Sequence, residues 1–377
     1  MTVNVRGTIP LRLAALLIPL LLVISACGQS APAAQPPTAA AATPAPAAAT
    51  NATTDTATFA PATVRLAYFP NLTHAVALVG TANGLFQKAL GPNITLDVKT
   101  FNAGPALIEA LFAGEIDIGY VGPNPAINGY VKSKGAALRI IAGASSGGAL
   151  FIVRPEAKIK TLADLAGKKF ASPQLGGTQD VALRYLVQEA GLKTADQGGD
   201  VTILPTQNPD ILTLFQKGEI DGAWVPEPWA TRLIVEAKGE VFVDERDKWP
   251  GGQFVTTLVV VSTKFQQEHP DLVEAFLRGH VAAVDYIKAN PAETKTIVNK
   301  EIERITGKPL ATAVLDQAIT TLAFTYDPLA SSLFVSADHA FALGFLGDSK
   351  PDLTGIYDLT PLNKVLAAQG LAEVKLP

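Results

Sequence analysis

The sequence predicts an α/β fold of two lobes, each a mostly parallel sheet flanked by helices, with a cleft between the lobes. Three observations lead there. Strand-like and helix-like patterns alternate from Val64 to Val225, and parallel strands need helical crossovers. One stretch of this pattern occurs twice, in the same order. At 377 residues the chain exceeds the roughly 250 to 300 residues at which single cores stop growing.

The repeat appears at a shift of 104 or 105 positions. Leu107 to Pro125 reads LIEALFAGEIDIGYVGPNP and Ile211 to Trp229 reads ILTLFQKGEIDGAWVPEPW. Gly114-Glu115-Ile116-Asp117 falls on Gly218-Glu219-Ile220-Asp221, Tyr120 on Trp224, and Pro105 on Pro209. Upstream, Thr73, Val76, Ala77 and Leu78 fall on Thr178, Val181, Ala182 and Leu183.

Each copy reads as strand, loop, helix, strand, helix, strand and a Pro-rich loop. The expected strands lie near Val64 to Ala67, Ile94 to Val98 and Ile116 to Val121, then Lys169 to Ala171, Val201 to Leu204 and Ile220 to Val225. Helices are expected around Ala75 to Leu90, Pro105 to Ala113, Gln179 to Ala190 and Pro209 to Gln216. Pro105 and Pro209 suit first helical turns and Asn208 suits an N-cap. Leu138 to Val153 forms two apolar runs around a Ser/Gly turn, and Leu258 to Ser262 is another β-branched run. Both read as hinge-adjacent strands, so lobe one is expected to hold 62–154 and 255–377, and lobe two 155–254. The stretch GAWVPEPW, residues 222 to 229, reads as a rigid loop, because Pro226 and Pro228 argue against helix or a central strand.

Arg6 and Arg12 precede an apolar run from Leu13 to Ile24, shorter than the roughly 20 residues that span a bilayer. This is an export signal, expected over 1–26. Ser25-Ala26-Cys27-Gly28 looks like a bacterial lipobox, implying cleavage before Cys27 and lipid attachment to its thiol. Cys27 is the only cysteine, so no internal disulfide is available. The segment 27–61 is mostly Ala, Pro and Thr, a disordered tether. Loss of 1–26 leaves 28 basic against 34 acidic residues, a net charge of −6. Nothing in the composition points to nucleic acid, and an anion would have to be held locally.

From Val64 to about Val298 the chain resembles the substrate-binding proteins of ABC transporters for aliphatic sulfonates, taurine and nitrate. The stretches that carry the resemblance are AYFPNLTHA, FNAGPALIEALFAGEIDIGYVGPNP, IKTLADLAGKKFASPQLGGTQDVALRYL, GEIDGAWVPEPW and TKFQQEHPDLVEAF. The resemblance implies a type II periplasmic-binding-protein fold that closes on its ligand like a hinged clamp, a monomer without catalytic turnover, cofactor or metal, and an ABC permease as partner.

Ligands of open α/β sheets bind beyond the carboxyl ends of the strands. Tyr68 to His74, Gly122 to Pro125, Ser172 to Gln179 and Trp224 to Trp229 are expected there. Helix N-termini can hold an anion without lysine, so Gly176, Gly177, Thr178 and Gln179 form the expected anion cradle. Tyr68, Asn71, Thr73 and His74 would face it from lobe one, with Gly122, Asn124, Ser145 and Ser146 as further neutral contacts. Trp224 and Trp229 would offer flat apolar walls. Glu227 would suit an amine, and hence an aminosulfonate, or else point to solvent or a hinge ion pair.

Other classes read as follows. Gly143-Ala144-Ser145-Ser146-Gly147 fits G-x-S-x-G, but that motif needs a helix after the serine and Ala149 to Val153 reads as strand. There is no glycine-rich phosphate loop with lysine and no histidine pair at metal spacing. The alternatives are uptake of an aromatic vitamin or precursor, a pyrimidine or flavin, stacked between the tryptophans; an enzyme like the pyrimidine synthases of thiamine biosynthesis, against which export argues; and a lipid-anchored sensor.

Overall fold

The computed structural model describes residues 59–377. The export signal, Cys27 and nearly all of the Ala/Pro/Thr tether lie outside the described residues. The first half runs β1 (Ala62–Tyr68), α1 (Ala75–Ala82), α2 (Leu85–Leu90), β2 (Ile94–Thr100), α3 (Gly104–Phe112), β3 (Ile118–Val121), α4 (Pro123–Lys132) and β4 (Leu138–Gly147). The second runs β5 (Ala149–Val153), β6 (Lys169–Ser172), α5 (Thr178–Glu189), β7 (Thr202–Pro205), α6 (Asn208–Lys217), β8 (Gly222–Pro226), α7 (Trp229–Ala237) and β9 (Glu240–Asp244). The chain then returns through β10 (Val255–Ser262), α8 (Thr263–Glu268), α9 (Pro270–Ala289), α10 (Pro291–Thr306), α11 (Thr312–Ala318), β11 (Leu322–Phe324), α12 (Ala330–Ala342) and α13 (Thr360–Ala368).

Two sheets result, ordered β11-β4-β10-β3-β1-β2 and β7-β6-β8-β5-β9. Apart from β11 they have the same plan: a central strand paired in parallel with two neighbours, β1 with β2 and β3, β6 with β7 and β8. The remaining pairings are antiparallel, so the sheets are mixed and not mostly parallel. The reason lies in the connections. A strand that arrives from the other half has no helical crossover to set its direction, and β10 and β5 enter the first and second sheets in this way.

The repeated Gly-Glu-Ile-Asp motif has the same structural task twice. Gly114 and Gly218 take left-handed φ of 71° and 74° just after α3 and α6. The aspartate three residues on then accepts a backbone N–H of the central strand: Arg65 to Asp117 Oδ2 at 2.8 Å, and Lys169 to Asp221 Oδ2 at 2.8 Å. Each aspartate thereby ties its third strand to the first.

Four further readings are corrected. GAWVPEPW is not a loop: Gly222–Pro226 is strand β8, inside the second sheet between β6 and β5. Its proline is tolerated because Pro226 is the strand's last residue, and Trp229 already opens α7. Sheet membership changes at Gly147–Gly148, ahead of the Pro155 expected for the crossing, because β5 pairs with β8. The helix expected over Ala75 to Leu90 is two, interrupted at Asn83–Gly84, and Gln207 takes the N-cap position expected of Asn208.

Aromatic packing anchors both halves. Phe86 stacks on Phe276 at 4.7 Å beside Tyr120, whose hydroxyl meets His280 Nδ1 at 2.7 Å. In the second half Trp224 stacks on Phe151 at 5.5 Å, and its Nε1 donates to the buried Glu245 at 2.8 Å.

Candidate functional site

The carboxyl ends of six strands, β1 to β3 and β6 to β8, converge on one cleft. After β1 come Phe69, Asn71, Thr73 and His74; after β2, Asn102 to Gly104; after β3, Gly122 and Pro125. The second half contributes Pro173, Gln174 and Gly177 to Gln179 after β6, Asn208 after β7 and Pro226 at the end of β8, and β10 adds Thr256 and Thr257. Residues 68–74 and 172–179 therefore meet across it. The cavity holds about 40 Å³.

No lysine, arginine, aspartate or glutamate is among these residues. His74 is fully buried, with its ring 4.3 Å from that of Phe69, and its Nδ1 accepts the Phe69 N–H at 3.4 Å. Burial lowers its pKa to about 3, so it stands neutral at ordinary pH. The positive potential comes from backbone. α3, α4, α5 and α6 all begin at the cleft, and their first N–H groups have no intrahelical partner. Three side-chain oxygens of the cleft, Thr178 Oγ1, Thr257 Oγ1 and Asn208 Oδ1, are buried without a hydrogen-bond partner among the described residues. Buried polar atoms are ordinarily paired, so these three are set to receive something that enters.

The loop before α5 is held from behind. Asp180, completely buried, accepts from Ser172 Oγ at 2.7 Å, the Gly176 N–H at 3.0 Å and Arg184 Nε at 3.0 Å. On the facing wall, a Cβ at Gly122 would collide with Thr178 Oγ1. Only glycine lets the two halves close there.

The sequence-derived candidates divide. Asn71, Thr73, His74, Gly122, Gly177, Thr178 and Gln179 line the cleft. Tyr68 does not; its hydroxyl reaches Glu301 at 3.4 Å on α10. Asn124 Nδ2 donates to the Ser336 carbonyl at 3.2 Å, and Gly176 is spent on Asp180. Ser145 Oγ donates to the Thr73 carbonyl at 2.8 Å, and Ser146 Oγ accepts the Phe254 N–H at 3.2 Å, so both brace the walls from outside. With β5 following them, no helix carries Ser145 or Ser146 as a nucleophile.

The aromatic and acidic expectations change most. Trp224 is a core residue and offers no wall. Glu227 neither meets the cleft nor solvent nor a basic partner: it is fully buried, accepting from the Thr231 N–H at 3.0 Å and Thr231 Oγ1 at 2.8 Å in the first turn of α7. Burial raises its pKa to about 7. Trp229 stands outside the cleft, its Nε1 donating to Asn71 Oδ1 at 3.0 Å. Sequence reasoning missed Asn102, Asn208, Thr256 and Thr257 as lining residues. Asn102 and Gln207 were legible as repeat partners, since they lie 105 residues apart and hydrogen-bond across the cleft at 2.8 Å.

Two mixed sheets of matching order, closed over a charge-free cleft at their strand ends, define the two-lobe fold of periplasmic binding proteins. The chain belongs to the NMT1-like family, whose model matches residues 57–302. It is 30% identical over 215 residues to the taurine-binding periplasmic protein of Escherichia coli (strain K12), covering 57% of this chain and 64% of that protein, just under two thirds. Among solved structures, it resembles the alkanesulfonate-binding protein SsuA from Xanthomonas axonopodis pv. citri bound to MOPS, with TM-score 0.64 and 19% identity, over 77% of this chain and 96% of the other. It also resembles the periplasmic nitrate-binding protein NrtA from Synechocystis PCC 6803, with TM-score 0.68 and 14% identity, over 81% and 88%. At such identities these two structures bear on the fold alone.

Proposed function

We propose that this protein is the extracytoplasmic substrate-binding component of an ABC importer, taking a small organic anion of the sulfonate or nitrate-like kind into its interlobe cleft and passing it to the permease. The observation that carries this reading is the pair of unpartnered hydroxyls, on Thr178 and Thr257, in a cleft with no Asp, Glu, Lys or Arg side chain and four helix N-termini. An anion there meets N–H and hydroxyl donors, meets no carboxylate, and displaces no counter-ion. The protein acts by binding, without turnover, since the cleft offers no nucleophile, acid or base poised for chemistry. Cys27, once lipidated, would tether it to the outer face of the cytoplasmic membrane.

Glu227 no longer supports an amine on the ligand, because its carboxylate is engaged by Thr231. Stacking of a flavin or pyrimidine between tryptophans has equally lost its support, since Trp224 faces Phe151. The test is calorimetry on the exported chain with methanesulfonate, taurine, nitrate, a pyrimidine and a flavin. Binding of methanesulfonate at least as tight as that of taurine is expected; tight binding of the flavin or pyrimidine with no response to any anion would overturn the reading.

A further inference from the structure

Glu227 stands where the two halves meet. Its N–H donates to the Gly148 carbonyl at 2.8 Å, at the point where the chain passes from β4 to β5, and its own carbonyl accepts the Leu72 N–H of the first half at 3.2 Å. The Gly148 N–H donates in turn to the Thr321 carbonyl, just ahead of β11, at 2.9 Å, and the Thr321 hydroxyl reaches the Glu227 carboxyl. That carboxyl is completely buried and bonded to Thr231 on its own helix. Segments of both halves therefore seal it.

Among the described residues it has no basic partner. Beside it stands a second carboxylate, Asp244 at the end of β9, whose own partner is Arg246. α11 packs against α7, and its charged side chain, Asp316, is paired with Lys295. On α7 itself Arg232 and Glu236 pair with each other, and with Lys308 they line the open space outside Trp229. His74, two residues beyond Leu72, is buried and neutral. An ionised carboxylate sealed here loses its water with no cation to offset the loss. Burial, with Asp244 adding to it, accordingly raises the pKa to about 7.

We infer that Glu227 is a positioning residue that couples closure of the cleft to uptake of a proton: its neutral carboxyl lets the loop from Leu72 to His74 settle against it, and its ionised form favours a parting of the halves that readmits water. The inference rests on the anion-binding reading above. Burial sets the sign. The closed form holds the proton more tightly than a water-exposed carboxyl at its ordinary value of 4.5, so closure is most favoured below that value and weakens as pH rises to about 7. Ligand affinity follows closure, and the bound anion leaves more readily near neutrality than in acid.

The experiment is calorimetry on the full exported chain with methanesulfonate and with nitrate, both ionised throughout, between about pH 5 and 8. Wild-type affinity is expected to fall roughly ten-fold up to about pH 7 and to be flat above it. Glu227→Gln, which keeps an oxygen for Thr231, is expected to bind independently of pH and as tightly as the wild type does at about pH 5. Glu245→Gln is expected to retain the wild-type profile, because Glu245 is bonded to Trp224 within the second half. Should Glu227→Gln not fold, titration of the wild type near pH 6 in two buffers of different ionisation enthalpy reads the proton directly, and uptake on binding is expected. A flat wild-type profile, no proton uptake, or an unchanged slope in Glu227→Gln would overturn the coupling and leave the anion cleft standing. Tighter binding as pH rises would overturn it too, that being the sense expected of His339, whose pKa burial lowers where it stacks on Tyr185 across the halves. Failure of both anions to bind at any pH would overturn the cleft reading and this one with it.

Discussion

Thr178 is the residue on which the binding reading concentrates. Its hydroxyl is buried and unpartnered, so it adds little to the stability of the ligand-free fold and gains its bond only when the cleft fills. Thr178→Ala is therefore expected to leave the melting temperature of the free protein unchanged or slightly higher. It should weaken sulfonate binding by roughly ten-fold or more, the loss of one hydrogen bond to a charged group at about 1.5–3 kcal/mol. Calorimetry and a thermal melt on the same sample separate the two effects. Glu245 shows the opposite economy, a carboxyl kept buried against Trp224 with its pKa raised by burial to about 7 from 4.5. A raised pKa means that the folded state binds more protons than the unfolded one between those values. Its stabilising contribution is then complete below pH 4.5 and lost as pH rises to 7. Glu245→Gln lacks this dependence, so its melting temperature relative to wild type should climb from pH 4.5 to 7 and then level off; a difference constant with pH would refute the assignment. His74, neutral because buried, predicts ligand affinity without a histidine step between pH 5 and 8.

At the scale of the element, α5 carries the site because its own first turns pin the loop before it. Asp180 joins Ser172, Gly176 and Arg184, and removing its charge leaves the Arg184 guanidinium buried with only the exposed Asp196 as partner. Breaking a buried pair in this way costs about 3–5 kcal/mol. Asp180→Ala should lower stability by that order in a denaturant titration and also weaken the ligand, as Gly177 and Thr178 lose their fixed position. Most elements were readable beforehand: the apolar run that follows each Gly-Glu-Ile-Asp copy placed β3 and β8, because strand patterning is a local signal, whereas the bonds from Asp117 to Arg65 and from Asp221 to Lys169 span 52 residues. β8 as a central strand was not readable. Pro226 argues against it in sequence, and only the antiparallel partner β5, arriving from the first half, makes a place where a proline can end the ladder.

Across the whole molecule the two halves are latched around the cleft. Asn102 Nδ2 donates to Gln207 Oε1, Trp229 Nε1 to Asn71 Oδ1, and the Leu72 N–H to the Glu227 carbonyl at 3.2 Å. The Asn102–Gln207 pair is exposed and joins equivalent positions of the repeat, so its contribution is modest. Asn102→Ala and Gln207→Ala are each expected to weaken ligand binding by about 2- to 10-fold, as for one hydrogen bond of 0.5–1.5 kcal/mol. The double variant should be no weaker than either alone. Full additivity in that cycle would show that the pair does not latch the closed form. Glu227 belongs to the same scale: read alone it is a charge near a ligand, whereas in the molecule it caps α7 through Thr231 while its backbone carbonyl holds Leu72 of the other half.

The sequence by itself determined the alternation of strands and helices, the duplication, and therefore two α/β halves with their ligand at the strand ends, since these follow from local periodicity and from turn chemistry within each copy. It also placed Asn71, Thr73, His74 and Gly177 to Gln179 at the cleft. Which neighbouring side chains turn inward was decided by tertiary structure alone. Tyr68 and His74 leave the same strand end and part, one to Glu301 on α10 and the other to the cleft. Trp224 and Trp229 part likewise, one to Phe151 and the other to Asn71. The direction of a side chain depends on its strand's register against distant strands and on how the halves dock, and both are set by contacts between residues far apart in the chain.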